Sequence, residues 1–279
     1  MDRSLFAARS TTTSETSPAF HRPRAAERCA RSRQNRGKRM SQPQQSAVRN
    51  RLLAALPPDD FVALAPVLRP VELGFRQTLY EPGRTIRAVH FPEAGMVSML
   101  APLEDGHLQE VGIVGREGLV GLPVVLGADR TSIEALVQMQ GAAWRIPAAE
   151  LRAAFERGAA LRALLLRYAQ AFHAQVAQTA ACNGRHAIDR RLARWLLEMH
   201  DRAEDDEFAV THEFAALMLG TGRPGISVAA AVLQKAGALR YTHGHVAVLD
   251  RAGLEAASCE CYGTVREQFE YLLGVPAGE

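Results

Sequence analysis

The sequence predicts an α+β protein made of an N-terminal β-roll, a long connecting helix and a C-terminal helical domain. Three observations lead to this fold class. Short β-prone runs separated by Gly and Pro occupy residues 52–146, and apolar positions repeat every three or four residues from about 160 to 182. Two short amphipathic segments then flank a glycine turn within residues 211–239. Strands followed by helices, rather than alternating with them, are typical of an α+β protein.

The first 39 residues differ from the rest of the chain in composition. They hold ten Lys or Arg and three Asp or Glu, a net charge of +7 within a total of +3, so residues 40–279 carry −4. Ser, Thr, Arg and Gln are frequent and no apolar period is present, which predicts a disordered basic leader over residues 1–39. An alternative interpretation is that translation starts at Met40. The acidic remainder gives no electrostatic argument for a nucleic-acid partner.

Cysteine usage and hydropathy predict a cytoplasmic protein without a cofactor. No run of about 18 apolar residues and no signal-peptide core is present. The four cysteines are Cys29, Cys182, Cys259 and Cys261. Their number and spacing do not match a disulfide framework, which fits a reducing compartment. Cys182 and His186 are four residues apart and supply half of a metal site. Cys259 and Cys261 are expected to point to opposite sides of a helix, so we predict no metal site.

Residues 40–157 are predicted to form the β-roll. Their β-prone runs are short and broken by Gly and Pro, which predicts a β-roll or jelly roll. A helix over residues 148–157 is expected to follow the last strand. The clearest strand candidates are residues 89–91, 96–100, 110–114 and 135–139.

Residues 158–185 are predicted to form a dimerisation helix and a hinge. Apolar side chains at helical spacing make a continuous seam of the coiled-coil kind. A helix packed on its own β-roll would show a similar stripe, so the pattern leaves both arrangements open. Asn183 and Gly184 are expected to break the helix. The proposed dimer contacts are Leu161, Leu165, Tyr168, Phe172 and Val176.

Residues 186–279 are predicted to form a winged helix-turn-helix domain. A first helix, from residue 188 to about 200, carries Arg190, Arg191 and Arg194 on its outer side, as a solvated face or as phosphate contacts. Thr211 is predicted to be the N-cap of the next helix, which is the first of the two helices of the helix-turn-helix motif. Pro224 lies in the first turn of the second helix, where a proline is tolerated.

The second helix of this motif is the candidate recognition helix. Its apolar positions fall at i, i+3, i+4 and i+7, so one face is predicted to be buried: Ile226, Ala229, Ala230 and Leu233. The opposite face is expected to enter the major groove of DNA. An alternative interpretation is that the two helices form an ordinary helical hairpin within a protein core. The candidate DNA contacts of the motif are Thr211, Arg223, Gly225, Ser227, Val228 and Ala231.

A hairpin directly after the recognition helix argues against that alternative. A turn signal at 243–244 separates two β-prone runs, which predicts the wing of a winged helix. Arg240, His243 and His245 are its candidate phosphate contacts. The acidic run 204–207 is predicted to be a solvated loop, and residues 254–273 a final helix.

At these residues the chain resembles the Crp/Fnr family of bacterial transcription factors. The similarity runs from Thr211 through Ala215 and Gly220 to Arg223 and on to Ile226 and Ser227. Two departures are Pro224 and Val228, which stand where the family commonly has Glu and Arg. The resemblance implies a homodimeric transcription regulator that binds double-stranded DNA at a two-fold operator, with RNA polymerase and an unidentified small-molecule effector as further partners and no membrane. It does not imply an enzyme.

The same resemblance implies an effector pocket in the β-roll. The corresponding residues are Gly121, Leu122, Arg130, Thr131 and Ser132. Leu122 stands where the family has the glutamate that binds the ribose, and the phosphate-binding arginine is displaced by one residue, at Arg130. We therefore expect a regulator that does not use cyclic AMP in the usual way. The alternative is a cyclic-nucleotide-responsive regulator in which Arg130 is recruited to a rearranged pocket.

Overall fold

The α+β fold class is confirmed in a computed structural model that describes residues 43–274 and Gly278. The predicted leader, residues 1–39, lies outside the described residues. No single helix in the part of the chain that is described is long and apolar enough to span a membrane; one sharply bent pair of helices passes that test by length and composition alone.

The N-terminal half is an antiparallel β-structure behind two short helices. Asn50 caps the first helix by accepting a hydrogen bond from the backbone N–H of Leu53 at 3.1 Å. The elements are α1 (Arg51–Ala54), α2 (Pro58–Leu64), β1 (Arg69–Leu73), β2 (Thr78–Tyr80), β3 (Ala88–Pro102), β4 (Leu108–Val114) and β5 (Glu134–Pro147). The strand order is β1-β5-β3-β4, and β2 also pairs with β5.

The long strand β3 joins two runs that the sequence predicts as separate strands. Gly95, between them, adopts a φ of +82°, and the pairing register of β3 with β5 shifts on both sides of it. A Cβ at this position would lie 2.5 Å from the carbonyl oxygen of Met139, so only glycine fits. Gly95, which the sequence predicts to be a break between two strands, is therefore part of a β-bulge inside one bent strand.

Two helices follow the sheet, α3 (Ala148–Arg157) and α4 (Ala159–Arg185). The α4 helix packs against the β-roll and against the last helix of the chain. Leu161, Leu165 and Tyr168 have at most 3% of their surface exposed. The prediction of a dimer seam is wrong for these three residues, because their side chains are buried within a single chain. Phe172 and Val176 are half-buried.

The C-terminal half is helical with a small three-stranded sheet. The elements are α5 (Ile188–His200), β6 (Glu207–Ala209), α6 (His212–Met218), α7 (Arg223–Lys235), β7 (Leu239–Thr242), β8 (His245–Val248), α8 (Arg251–Ala257) and α9 (Cys261–Leu273). The strand order of the sheet is β6-β8-β7. The strand β6 is not predicted from the sequence, because its acidic start belongs to a run that is predicted to be a loop.

The predicted final helix over residues 254–273 is wrong, because two helices occupy this stretch. Asp250 caps α8 by accepting a hydrogen bond from the backbone N–H of Gly253 at 3.0 Å. The chain becomes extended at Ser258, whose φ and ψ are −75° and 174°, and a new helix starts at Cys261.

The two halves share an apolar core. Met96, Leu100 and Ile113 of the β-roll lie in the same buried cluster as Trp195 and Leu196 of α5. Burial of large apolar side chains is the main stabilising contribution to such a contact. The β-roll therefore supports the helices of the C-terminal half directly.

Candidate nucleic-acid interface

The α6 and α7 helices have the geometry of a helix-turn-helix. They cross with a bend of 108°, within the range typical of the motif. Thr211 caps α6, as predicted: its hydroxyl accepts a hydrogen bond from the backbone N–H of Phe214 at 3.1 Å. Ala215 is fully buried, so the two helices approach each other closely.

The predicted buried stripe of α7 is confirmed, since Ile226, Ala229, Ala230 and Leu233 are at most 2% exposed. The stripe packs on α5 and α6. Burial of this face fixes the rotation of the helix about its axis, so the opposite face is directed to solvent. That exposed face is the one predicted to contact DNA.

The exposed face of α7 is more apolar than charged. Val228 is 67% and Val232 51% exposed, and Ala231 lies between them on the surface. Exposed methyl groups of this size are suited to contact the 5-methyl group of thymine in the major groove. Val232 belongs to this surface and is not among the predicted contacts, although its position four residues after Val228 places it on the same face of the helix.

The polar residues of α7 that are predicted to contact DNA differ in their exposure and in their contacts within the protein. Arg223 is 66% exposed and its Nε lies 2.8 Å from Oε1 of Glu213 in a solvated ion pair. Ser227 is half-buried; its hydroxyl donates to the carbonyl oxygen of Arg223 at 3.1 Å and lies 2.9 Å from Nδ1 of His212. Gly225 is half-buried in the first turn. Arg223 is therefore the available donor of this face, while Ser227 is engaged within the motif.

The predicted hairpin is present as β7 and β8. His243 and Gly244 form its two-residue turn with φ of 49° and 80°, both positive as a type I′ turn requires. Arg240, His243 and His245 are all exposed. Tyr241 anchors the hairpin, because its hydroxyl donates to the carbonyl oxygen of Val210 at the start of the motif. The wing is thus held beside the recognition helix.

A buried polar network connects the motif to the β-roll, and no local sequence pattern indicates it. Trp195 of α5 donates from Nε1 to Oε1 of Glu110 at 2.8 Å. Arg194 forms a buried ion pair with Glu198 at 2.9 Å, which corrects the prediction that this arginine lies on the outer side of its helix. Burial raises the pKa of Glu110 to about 7. Of the three predicted arginines, only Arg190 is exposed.

A buried ion pair also joins the two halves. The guanidinium of Arg202 lies 2.6 Å from Oε1 of Glu117, and both side chains are at most 1% exposed. The same oxygen also accepts a hydrogen bond from the backbone N–H of Gly115 at 3.0 Å. A buried pair of this kind fixes the relative position of the groups that carry it, since breaking it leaves an uncompensated charge.

The predicted effector residues divide between two surfaces. Gly121, Leu122 and Thr131 line a mainly apolar cavity of about 320 Å³ between the β-roll and α4, together with Tyr168 and Phe172. Among the described residues that line it, none is Arg or Lys.

Arg130 and Ser132 lie instead on an open groove outside this cavity. Arg130 is 63% exposed and its Nε lies 3.3 Å from Oδ1 of Asp129. None of the described residues that line the cavity therefore supplies the permanent positive charge of an arginine to a cyclic phosphate.

The cysteines are arranged differently from the prediction. Cys259 precedes the first turn of α9, so it does not share a helix with Cys261, and the two thiols point the same way, toward Cys182 and His186. The expectation of opposite directions is wrong because it assumed one continuous helix.

Comparisons with known proteins agree with this geometry. Residues 190–257 match the family model of the Crp-like helix-turn-helix domain. No curated protein gives a significant match. A Crp/Fnr-family protein from Eubacterium rectale is similar in structure, with a TM-score of 0.60 and 16% identity over 74% of this chain and 96% of that chain.

Two further solved structures have the same fold. FixK2 from Bradyrhizobium japonicum has a TM-score of 0.60 and 18% identity, covering 69% of this chain and 98% of that one. The c-di-GMP-responsive regulator CLP from Xanthomonas campestris has a TM-score of 0.56 and 15% identity, covering 69% and 99%. At such identities the likeness establishes the fold.

Proposed function

We propose that this chain, which carries a Crp-like helix-turn-helix domain on the fold of the Crp/Fnr regulators, is a sequence-specific DNA-binding transcription regulator. The observation that carries the proposal is the exposed outer face of α7, which has a wing hairpin beside it and a fully packed inner face behind it. A hairpin buried in a core would have no such free face. The protein acts where the chromosome is, in the cytoplasm.

The roles of the candidate residues follow from their exposure. Arg223 binds guanine or a phosphate through its guanidinium, after releasing the solvated contact with Glu213. Val228 and Ala231 contact thymine methyl groups. Thr211, Gly225 and Ser227 hold the motif in shape and approach the DNA backbone. Arg240, His243 and His245 of the wing contact phosphates.

We assign the dimer contact to the outer face of α4, because the inner face is occupied within the chain. Leu166 is 47% exposed, and Phe172 and Val176 are half-buried at the open side of the cavity. A second copy of α4 would cover these side chains and close the cavity. A two-fold dimer places two recognition helices on successive major grooves, so the operator has two-fold symmetry.

The signal is an apolar or weakly polar small molecule that enters the cavity against α4. The supporting observation is its lining, which offers aromatic and aliphatic side chains without Arg or Lys among the described residues. A ligand between the β-roll and α4 would bias the position of the helix and thereby the spacing of the recognition helices. Cyclic AMP is disfavoured because Arg130 points away from the cavity. RNA polymerase is the partner expected of a regulator that activates genes.

The experiment is selection of DNA fragments from a random pool by the full-length protein, with and without cyclic AMP. The expected result is a two-fold-symmetric motif enriched in both conditions, and a weaker enrichment of that motif for the Val228→Asp variant. Enrichment only with cyclic AMP would contradict the effector assignment. Absence of any motif, together with equal retention of all fragments, would contradict sequence-specific binding.

A further inference from the structure

Three thiols and one imidazole converge at the end of α4, outside the DNA-binding surface and the cavity. Cys182 lies in the last turn of α4 and His186 directly follows the helix, while Cys259 and Cys261 lie at the break between α8 and α9. The four potential ligand atoms all lie within 4.8 Å of one another. More than 70 residues of chain separate the two pairs, so tertiary folding brings them together.

We propose that these four residues, Cys182, His186, Cys259 and Cys261, form a binding site for one thiophilic divalent metal ion of the Zn²⁺ class. Three thiolates and one imidazole are a ligand set that Zn²⁺ commonly takes in structural sites. The three-residue interval between Cys182 and His186 is also within the usual range for a pair of ligands from one segment. This inference does not depend on the proposed DNA-binding function.

The distances fit a single ion with tetrahedral geometry. Sγ of Cys182 lies 3.5 Å from Sγ of Cys259, and Sγ of Cys261 lies 3.4 Å from Nδ1 of His186. With metal–sulfur bonds of about 2.3 Å and metal–nitrogen bonds of about 2.0 Å, tetrahedral ligands are about 3.5–3.8 Å apart. The widest pair exceeds this by at most about 1 Å, which side-chain rotation can close. An iron–sulfur cluster spreads its ligands over more than one metal ion and does not fit so compact a set.

The surroundings orient the ligands as metal sites require. Nε2 of His186 lies 3.2 Å from Oε1 of Glu260, so Nδ1 is left to face the thiols. A carboxylate on the outer nitrogen is the arrangement that fixes the tautomer of a metal-binding histidine. Gln178 donates from Nε2 to Sγ of Cys261 at 3.1 Å, which stabilises a thiolate.

Burial and charge favour the bound ion over free thiols. The three cysteines are at most 3% exposed, and they form an apolar cluster of their own. Arg191 and Arg194 of α5 interact electrostatically with Cys182 and Cys259. These cations offset the net charge of −1 that three thiolates leave around a divalent ion. On binding, up to three thiol protons are released to solvent as metal–sulfur bonds form.

The test is a Co²⁺ titration of the full-length protein after reduction and removal of metal with a chelator. We expect one Co²⁺ per chain, a thiolate-to-cobalt charge-transfer band, intense tetrahedral d–d bands, and loss of all three when Zn²⁺ is added. Cys259→Ser should weaken the charge-transfer band by about one third, since it removes one of three thiolates. A titration without a charge-transfer band, or a spectrum unchanged by Cys259→Ser, would overturn the site.

A second variant tests the site without altering a buried ligand. Glu260→Gln changes a side chain that is 69% exposed, and it should weaken metal affinity about 10- to 100-fold while leaving the stoichiometry unchanged. Cys29→Ser and His173→Gln remove a cysteine and a histidine outside the four residues and should leave the titration unchanged. An iron–sulfur chromophore in the purified protein, or a Cys182–Cys259 disulfide that forms in preference to metal binding, would contradict the proposal.

Discussion

Two amphipathic helices of this chain, α7 and α4, carry similar apolar stripes and use them differently. The stripe of α7 packs on α5 and α6, its neighbours in the sequence, and the other face of the helix is free. The stripe of α4 packs on a β-roll and on α9, which are remote in sequence, so side chains that look like a dimer seam are part of the chain's own core. The comparison shows that a stripe identifies a buried face without identifying what covers it.

The largest expected effect tests the inward face of α4. Leu165→Ala should lower the free energy of unfolding by about 2–5 kcal/mol, because Leu165 is fully buried and truncation leaves a cavity. Denaturant unfolding followed by circular dichroism measures this difference. The matched control is Leu103→Ala, between β3 and β4 and 53% exposed, which should change stability by less than about 0.5 kcal/mol. Unchanged stability of Leu165→Ala with loss of the dimer would restore the seam interpretation.

The next effect tests whether Arg223 reads a base or a phosphate. Arg223→Ala should reduce operator affinity by about 1–3 kcal/mol if it contacts guanine, with no comparable loss on unrelated DNA. Fluorescence anisotropy on both sequences measures the two affinities. Arg84→Ala is the control, since Arg84 is also an exposed arginine in a solvated ion pair, with Glu81. An equal loss on both DNAs would make Arg223 a phosphate contact.

A comparable or smaller loss is expected from the apolar part of the same face. Val228→Asp should weaken operator binding at least about tenfold, because it replaces a methyl contact with a charge that repels DNA. Stability should change by less than about 0.5 kcal/mol, since Val228 is 67% exposed. Val62→Asp on α2 is the matched control, because Val62 is also 67% exposed. If both variants weaken binding equally, the outer face of α7 is not the recognition surface.

A pH-dependent effect concerns the contact between the β-roll and the DNA-binding helices. Burial raises the pKa of Glu110 from 4.5 to about 7, so the folded protein holds a proton in this window that the unfolded chain has lost. The contribution of Glu110 to stability therefore falls as pH rises from about 4.5 to about 7, with a slope of at most about 1.4 kcal/mol per pH unit, and is constant above.

Glu110→Gln removes this contribution, and urea unfolding of both proteins across the range gives the difference. His90, whose pKa burial lowers to about 4, acts with the opposite sign but is present in both proteins, so it cancels in the difference. A difference between wild type and variant that does not vary with pH would show that Glu110 stays ionised.

Local sequence patterns predicted much of the C-terminal half and of its candidate site. The Thr211 cap, the buried stripe of α7 and the His243-Gly244 turn depend on contacts within a few residues, and the structure has all three. These interactions have the spacing that a helix or a hairpin dictates. These three features could therefore be predicted from the sequence alone.

Features that depend on distant contacts were not predictable in the same way. The local pattern of α5 predicts a surface position for Arg194, yet its side chain is 3% exposed and forms an ion pair with Glu198. The sequence predicts one helix that contains both Cys259 and Cys261, and a single break at Ser258 reverses the conclusion about the directions of their side chains. The sequence does not decide what covers the apolar stripe of α4, because a dimer partner and the chain's own β-roll require the same spacing of apolar residues.

A salt titration of wild-type affinity for the selected operator and for a scrambled sequence of equal length is the most direct test of DNA recognition by the exposed face of α7. We expect a preference for the operator of at least about 10³ at physiological salt, which Val228→Asp reduces at least about tenfold while binding to the scrambled DNA persists. Equal affinity of the wild-type protein for both sequences at every salt concentration would contradict the claim that the exposed face of α7 reads DNA.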